Sequence, residues 1–225
     1  MCNFDVSLHT DLNKKEMIAA RDQFVKKLRT DDCVLIYFSG HGVEYQGEQF
    51  LIPCQMKDPE RIDAIKFTAF SCDAVIIELA ENARTGLKMI VTDSCRTEYR
   101  GVMKSISKRT GISYEGINTY FDPNKAQTEN IKKGGSVDYT ETKNLIRMAA
   151  AASGQQADAG RRDNLSLYTK SLLSNMQSSD LSIMDVFIKV GKELEDRDAK
   201  PVISFTAPGT IVQEFRFFKD ELNNA

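Results

Sequence analysis

The chain has 225 residues, 41% hydrophobic and 28% charged, with 30 Lys and Arg against 32 Asp and Glu. That length suits a single domain, residues 1–225, whose core needs no covalent staples. The apolar share, with a net charge of −2, excludes a disordered chain.

No run of ~18 apolar residues is present to cross a bilayer, and Met1-Cys2-Asn3-Phe4-Asp5 lacks the basic and apolar blocks of a secretory leader. A near-balanced charge offers no basic footprint for nucleic acid. The expectation is a cytoplasmic protein with neither membrane nor nucleic-acid partners. The five cysteines (Cys2, Cys33, Cys54, Cys72 and Cys95) are odd in number and contain no C-x-x-C. A reducing compartment fits them better than a disulfide framework. His9 and His41 are the only histidines, and no carboxylate cluster accompanies them, so neither a metal nor another cofactor is expected.

In chain order, Asn13-Lys14-Lys15-Glu16 has the form of a capping box. Met17, Ala20, Phe24 and Leu28 follow at helical spacing, widened by Ile18 and Val25. Cys33-Val34-Leu35-Ile36-Tyr37-Phe38 reads as a strand buried on both faces, ending in Ser39-Gly40-His41-Gly42. A weaker strand or hairpin is expected at Gln49-Phe50-Leu51-Ile52, stopped by Pro53. Residues 70–83 form a second helical pattern, with Val75, Ile76, Leu79 and Ala83 on one side. Leu87-Lys88-Met89-Ile90-Val91-Thr92 is a second buried strand and ends in Asp93-Ser94-Cys95-Arg96.

From Thr97 to Thr142 the apolar pattern fails, as in a functional loop or linker. It divides the domain into a part carrying His41 and Cys95 (1–96), a loop (97–142) and a C-terminal part (143–225). A third strand is expected at 145–151, helices at 168–176 and 183–194, and a last strand at Val202-Ile203-Ser204-Phe205. Alternating strands and helices predict an α/β layered fold with a mostly parallel sheet. Reactive groups in such sheets sit beyond the carboxyl ends of strands.

Two strands end in this way, at His41 and at Cys95, 54 positions apart. Taken alone, a histidine between glycines also fits an exposed turn, and a cysteine at a strand end is more often inert. Together they offer a thiol and an imidazole from one end of a sheet, the pairing that thiol proteolysis requires.

On these residues the sequence resembles the caspase-like cysteine peptidases, the clan of caspases, paracaspases, metacaspases and bacterial relatives. The resemblance rests on Tyr37–Gly42, Leu51-Ile52-Pro53 and Ile90–Arg96. Ala150–Gln155, Leu167–Leu173 and Lys200–Ser204 follow in the same order. It implies a three-layer α/β/α sandwich and hydrolysis of protein or peptide substrates, with Cys95 as nucleophile and His41 as general acid and base. The backbone N–H groups of Gly42 and Cys95 would hold the oxyanion, and Arg96 would be structural. Asp93 stands where Asp-specific caspases place Gln, the paracaspase and bacterial pattern, which favours Arg or Lys at P1. Asp158 and Asp163 would supply a second carboxylate, although they also fit solvated loop charges. Arg161 and Arg162 fall near the arginine of Asp-specific caspases and keep that specificity open as the alternative.

Against the family's pattern the chain begins at the second strand, Asn3–Leu8, and lacks the first, which lies beside the strand carrying His41. A regulatory, non-cutting module is the competing class on that ground. A doubly wound nucleotide-binding protein is disfavoured by the lack of G-x-G-x-x-G or a Walker loop. The resemblance also implies a homodimer through the last strand. Arg100, Lys108, Arg109, Lys132 and Lys133 are expected self-cleavage positions if P1 is basic, although a flexible basic loop reads as well.

Overall fold

The computed structural model describes residues 4–45, 47–56, 62–96, 142–152, 165–194 and 201–218. The chain runs through α1 (Lys14–Val25), β1 (Val34–Ser39), β2 (Gly42–Tyr45), β3 (Glu48–Leu51) and α2 (Ile62–Thr68). It continues through β4 (Phe70–Ser71), α3 (Cys72–Asn82), β5 (Lys88–Asp93) and β6 (Leu145–Ala149). It ends with α4 (Leu167–Met176), α5 (Ile183–Leu194), β7 (Val202–Phe205) and α6 (Gly209–Glu214). The main sheet has the order β1-β5-β6-β7; a second, three-stranded sheet has the order β2-β3-β4. β1, β5 and β6 are parallel and β7 is antiparallel, so the mixed, mostly parallel sheet is present.

The period of two along a strand explains the layers. Met89 and Val91 of β5, with Ile146 and Met148 of β6, pack against α4, α5 and α6 through Leu172, Val186, Val190 and Val212. On the opposite face Ile90 and Leu145 join Val34, Val75, Ile76 and Leu79, with Met17, Ile18 and Phe24 of α1 against them. Helices therefore cover both faces, and β5 is buried at every position.

α1 begins at the anticipated capping box. The Asn13 side chain accepts from the Glu16 N–H, and the Glu16 carboxylate accepts from the Asn13 N–H at 2.8 Å. The second helical pattern starts later than expected, at Cys72 rather than residue 70, because Phe70 and Ser71 pair with β3. The Ser71 hydroxyl then caps α3 by accepting from the Ala74 N–H. The strand expected at 145–151 ends at Ala149, where pairing with β7 stops. The helices expected from 168 and 183 are α4 and α5, and the last strand is β7. α2, β2, β4 and α6 have no counterpart in the periodicity; they are short, and β2 is too brief to establish an alternation.

Lys88 departs from the apolar strand pattern yet is 1% exposed. Its Nζ donates to the carbonyls of Ala83 and Gly86 at 2.7 and 2.8 Å. Ala83 is the C-cap of α3, so the cation meets the negative end of that helix and two otherwise orphaned carbonyls.

Two expectations are modified. β1 is not buried on both faces: Tyr37 is 42% exposed, because β1 is the edge of the sheet among the described residues. The segment read as a strand near the start, described from Phe4, carries no strand hydrogen bonding. Phe4, Val6 and Leu8 alternate as a strand would, but all three are exposed. Ser7, Leu8 and His9 instead lie across Ala20 and Phe24 of α1, with a groove between them.

Candidate active site

The parallel register sets the site. Ser39 of β1 lies opposite Asp93 of β5, and the Gly40 N–H extends the ladder by donating to the Asp93 carbonyl at 3.1 Å. The two chains leave the same end of the sheet in step, with His41 two residues past Ser39 and Cys95 two residues past Asp93. The register brings the strand ends of the two residues expected from the sequence side by side.

A glycine completes the approach. A Cβ on Gly42 would lie 2.6 Å from Ser94 Oγ and 2.7 Å from the Cys95 carbonyl oxygen. No L side chain fits there without displacing the Cys95 backbone. The β2–β3 hairpin holds this contact: Gly42 pairs with Leu51, and the Ile52 N–H donates to the His41 carbonyl at 2.8 Å. From β3, buried Gln49 donates through Nε2 to Ser94 Oγ at 3.1 Å and to Thr92 Oγ1 at 3.4 Å. Glu44 of β2 pairs with Arg96 at 3.1 Å, both largely buried. The expected structural role of Arg96 therefore has a partner. The hairpin grips the segment on both sides of Cys95 through Gln49 and Glu44. Neither residue belongs to a recognisable motif, and sequence reading missed both.

His41 is exposed and Cys95 half-buried, so solvent and ligands reach this end of the sheet. Cys72, by contrast, is an inert type of thiol, because burial pushes its ionisation up.

Asp93 is buried, with 5% exposed. Its Oδ2 accepts from the hydroxyls of Ser166 and Thr169, at the start of α4. Thr169 Oγ1 also meets the Tyr37 hydroxyl at 2.6 Å. Burial raises the ionisation of the Tyr37 phenol. Tyr168 lies in the same region; burial and then Asp93 raise its phenol, and its hydroxyl is buried with no partner among the described residues. The contributions of Ser166, Thr169 and Tyr37 to this cluster were not anticipated either.

Asp158 and Asp163 lie outside the described residues, as do Arg161, Arg162 and the expected cleavage positions in 97–141. Among the described residues no group of three His, Cys, Asp or Glu side chains is placed to hold a metal. No described helix is long and apolar enough to cross a membrane.

The mucosa-associated lymphoid tissue lymphoma translocation protein 1 homolog of Mus musculus and its Homo sapiens counterpart are each 32% identical to this chain over 94 residues. That stretch is 42% of this chain and 11% of those proteins, so the similarity spans about a tenth of their length. Among solved structures, caspase-1 from Spodoptera frugiperda superposes with a TM-score of 0.60 at 13% identity, over 98% of this chain and 77% of that one. A Geobacter sulfurreducens protein superposes with a TM-score of 0.58 at 16% identity, over 92% and 78% of the two chains. These likenesses show a caspase-like α/β sandwich. The family model described as the caspase domain matches residues 2–211, nearly the whole chain; the chain belongs to the caspase domain family.

Proposed function

We propose that this chain is a cysteine endopeptidase of the caspase type, acting on protein or peptide substrates. The observation that carries the reading is the β1–β5 register, which brings the strand ends bearing His41 and Cys95 together beneath a glycine that admits no side chain. His41 takes the proton of the Cys95 thiol, and the resulting thiolate attacks the scissile carbonyl. The Gly42 and Cys95 N–H groups receive the developing oxyanion. His41 then returns the proton to the departing amine, a thioester remains on Cys95, and water activated by His41 hydrolyses it.

At P1 the reading is Arg or Lys. Asp93 is the acidic group at the strand end before Cys95, and a substrate cation would meet it in a charge-assisted hydrogen bond; a substrate carboxylate there would be repelled. Asp158 and Asp163 are the proposed second acidic contacts. Pairing of two copies through β7 is supported by its position at the sheet edge among the described residues. Val202 and Phe205 are exposed there.

The test is hydrolysis of fluorogenic peptides ending in Arg, Lys or Asp by the parent and by Cys95→Ala. Release from the Arg and Lys peptides that disappears in the variant is the expected result. Release only from the Asp peptide overturns the P1 reading, and release from none overturns the endopeptidase reading.

A further inference from the structure

We propose that Thr169, backed by Tyr37 and Ser166, is a positioning residue that fixes which oxygen of Asp93 meets the substrate. The inference rests on the basic-P1 reading and deepens it, because it assigns the specificity group's support to residues on two other elements, β1 and α4.

Counting protons gives the direction of each bond. With Asp93 as a carboxylate it can only accept, so the Ser166 and Thr169 hydroxyls both donate to Oδ2. Thr169 has one hydroxyl proton, and Asp93 uses it. The Tyr37 hydroxyl, 2.6 Å from Thr169 Oγ1, must therefore donate to Thr169. Ser166 is bound in the same sense: its Oγ accepts from the Thr169 N–H at 3.0 Å, as the N-cap of α4, while its proton goes to Asp93.

Each donation points inward to one oxygen. The chain Tyr37→Thr169→Asp93←Ser166 is polarised toward Oδ2, and such chains reinforce their members. The carboxyl is thereby held against turning about its Cβ–Cγ bond, and Oδ1 is the oxygen that neither hydroxyl occupies. A guanidinium or ammonium is best bound by an oxygen that is fixed in place and not already carrying two donors. Ser166 and Thr169, three positions apart, lie on one face of the first turn of α4. The helix that packs on the sheet through Leu172 thus carries the support for specificity.

The hydroxyls themselves touch no substrate in this account, so the test must separate positioning from general damage. Peptides ending in Arg and in citrulline, its uncharged isostere, are compared in the parent, Asp93→Asn, Thr169→Val and Thr169→Ser. The expected result for Thr169→Val is a KM for the Arg peptide raised about tenfold, the scale for losing a hydrogen bond to a charged group. Its kcat stays within about twofold, and the preference for Arg over citrulline falls in proportion. Thr169→Ser, which keeps the hydroxyl, restores the preference. Tyr37→Phe, at the open strand, gives a smaller loss in the same sense and serves if Thr169→Val does not fold. An undiminished preference in Thr169→Val and Tyr37→Phe, with Asp93→Asn abolishing it, overturns the inference and leaves the P1 reading standing. A preference unchanged in Asp93→Asn overturns the P1 reading itself, and the inference with it.

Discussion

Gly42 and Cys95 are in backbone contact: a Cβ on the glycine would stand 2.7 Å from the Cys95 carbonyl oxygen. The residue after His41 is thus built against the residue proposed as nucleophile, across two strands that pair in register at Ser39 and Asp93.

Gly42→Ala must push this contact apart, because the nearest atoms include backbone and not only a side chain free to swing away. Overpacking of this kind costs about 1–3 kcal/mol. The expected outcome is a lower urea midpoint and a loss of peptide hydrolysis exceeding what the remaining folded fraction explains. A variant with the parent's midpoint and turnover would show that the hairpin does not press on Cys95.

The Glu44–Arg96 pair, 3.1 Å apart and largely shielded, should behave as a unit. Removing one partner leaves the other's charge less compensated, at a cost of about 2 kcal/mol for a pair still partly wet. Glu44→Ala and Arg96→Ala are each expected to lower stability, and the double variant should lose less than their sum. Chemical denaturation of the four proteins measures this; strict additivity would contradict the pairing.

Asp73, in the first turn of α3, carries the pH dependence. Burial raises its carboxyl to about 6, Glu48 adds to the rise, and Arg147 and Arg96 oppose it. An acid raised on folding binds its proton more readily in the folded state than in the unfolded chain. Its unfavourable effect is therefore absent below its unfolded value of 3.8, grows as pH climbs toward about 6, and is constant above. Asp73→Asn should raise stability by about 1 kcal/mol at pH 7.5, a value reduced for partial solvent screening, and leave it unchanged near pH 3.5. Unfolding midpoints at the two values decide; an equal gain at both would contradict the assignment.

Lys88 is expected to be structural. Lys88→Met keeps the length and apolar stem but leaves the Ala83 and Gly86 carbonyls without their donor. The expected loss is about 1–3 kcal/mol, the cost of unsatisfied buried polar groups. A thermal scan that finds no loss would show that water replaces the ammonium.

The central strands and main helices were legible because each carries enough residues to show its period. β5 reads as continuously apolar apart from Lys88, and α5 repeats Ile183, Val186, Phe187 and Val190 on one buried face. That the chain segments carrying His41 and Cys95 leave one end of the sheet was legible because both follow such strands. Gln49, Glu44, Ser166 and Thr169 were not, since each acts through hydrogen bonds or an ion pair to elements far apart in sequence, and no periodicity encodes such partners. β1 was misjudged for a related reason. An apolar strand composition does not say whether a neighbour lies on both sides, and here Tyr37 stands at the sheet's edge among the described residues.

The most direct test of the account is intact-mass and peptide mapping after treatment with an electrophilic peptide probe ending in Arg. One adduct per chain is expected, located on Cys95, lost in Cys95→Ala and strongly slowed in His41→Ala. An adduct on Cys33 or Cys54 with Cys95 untouched, or labelling of Cys95 at the same rate without His41, would contradict it.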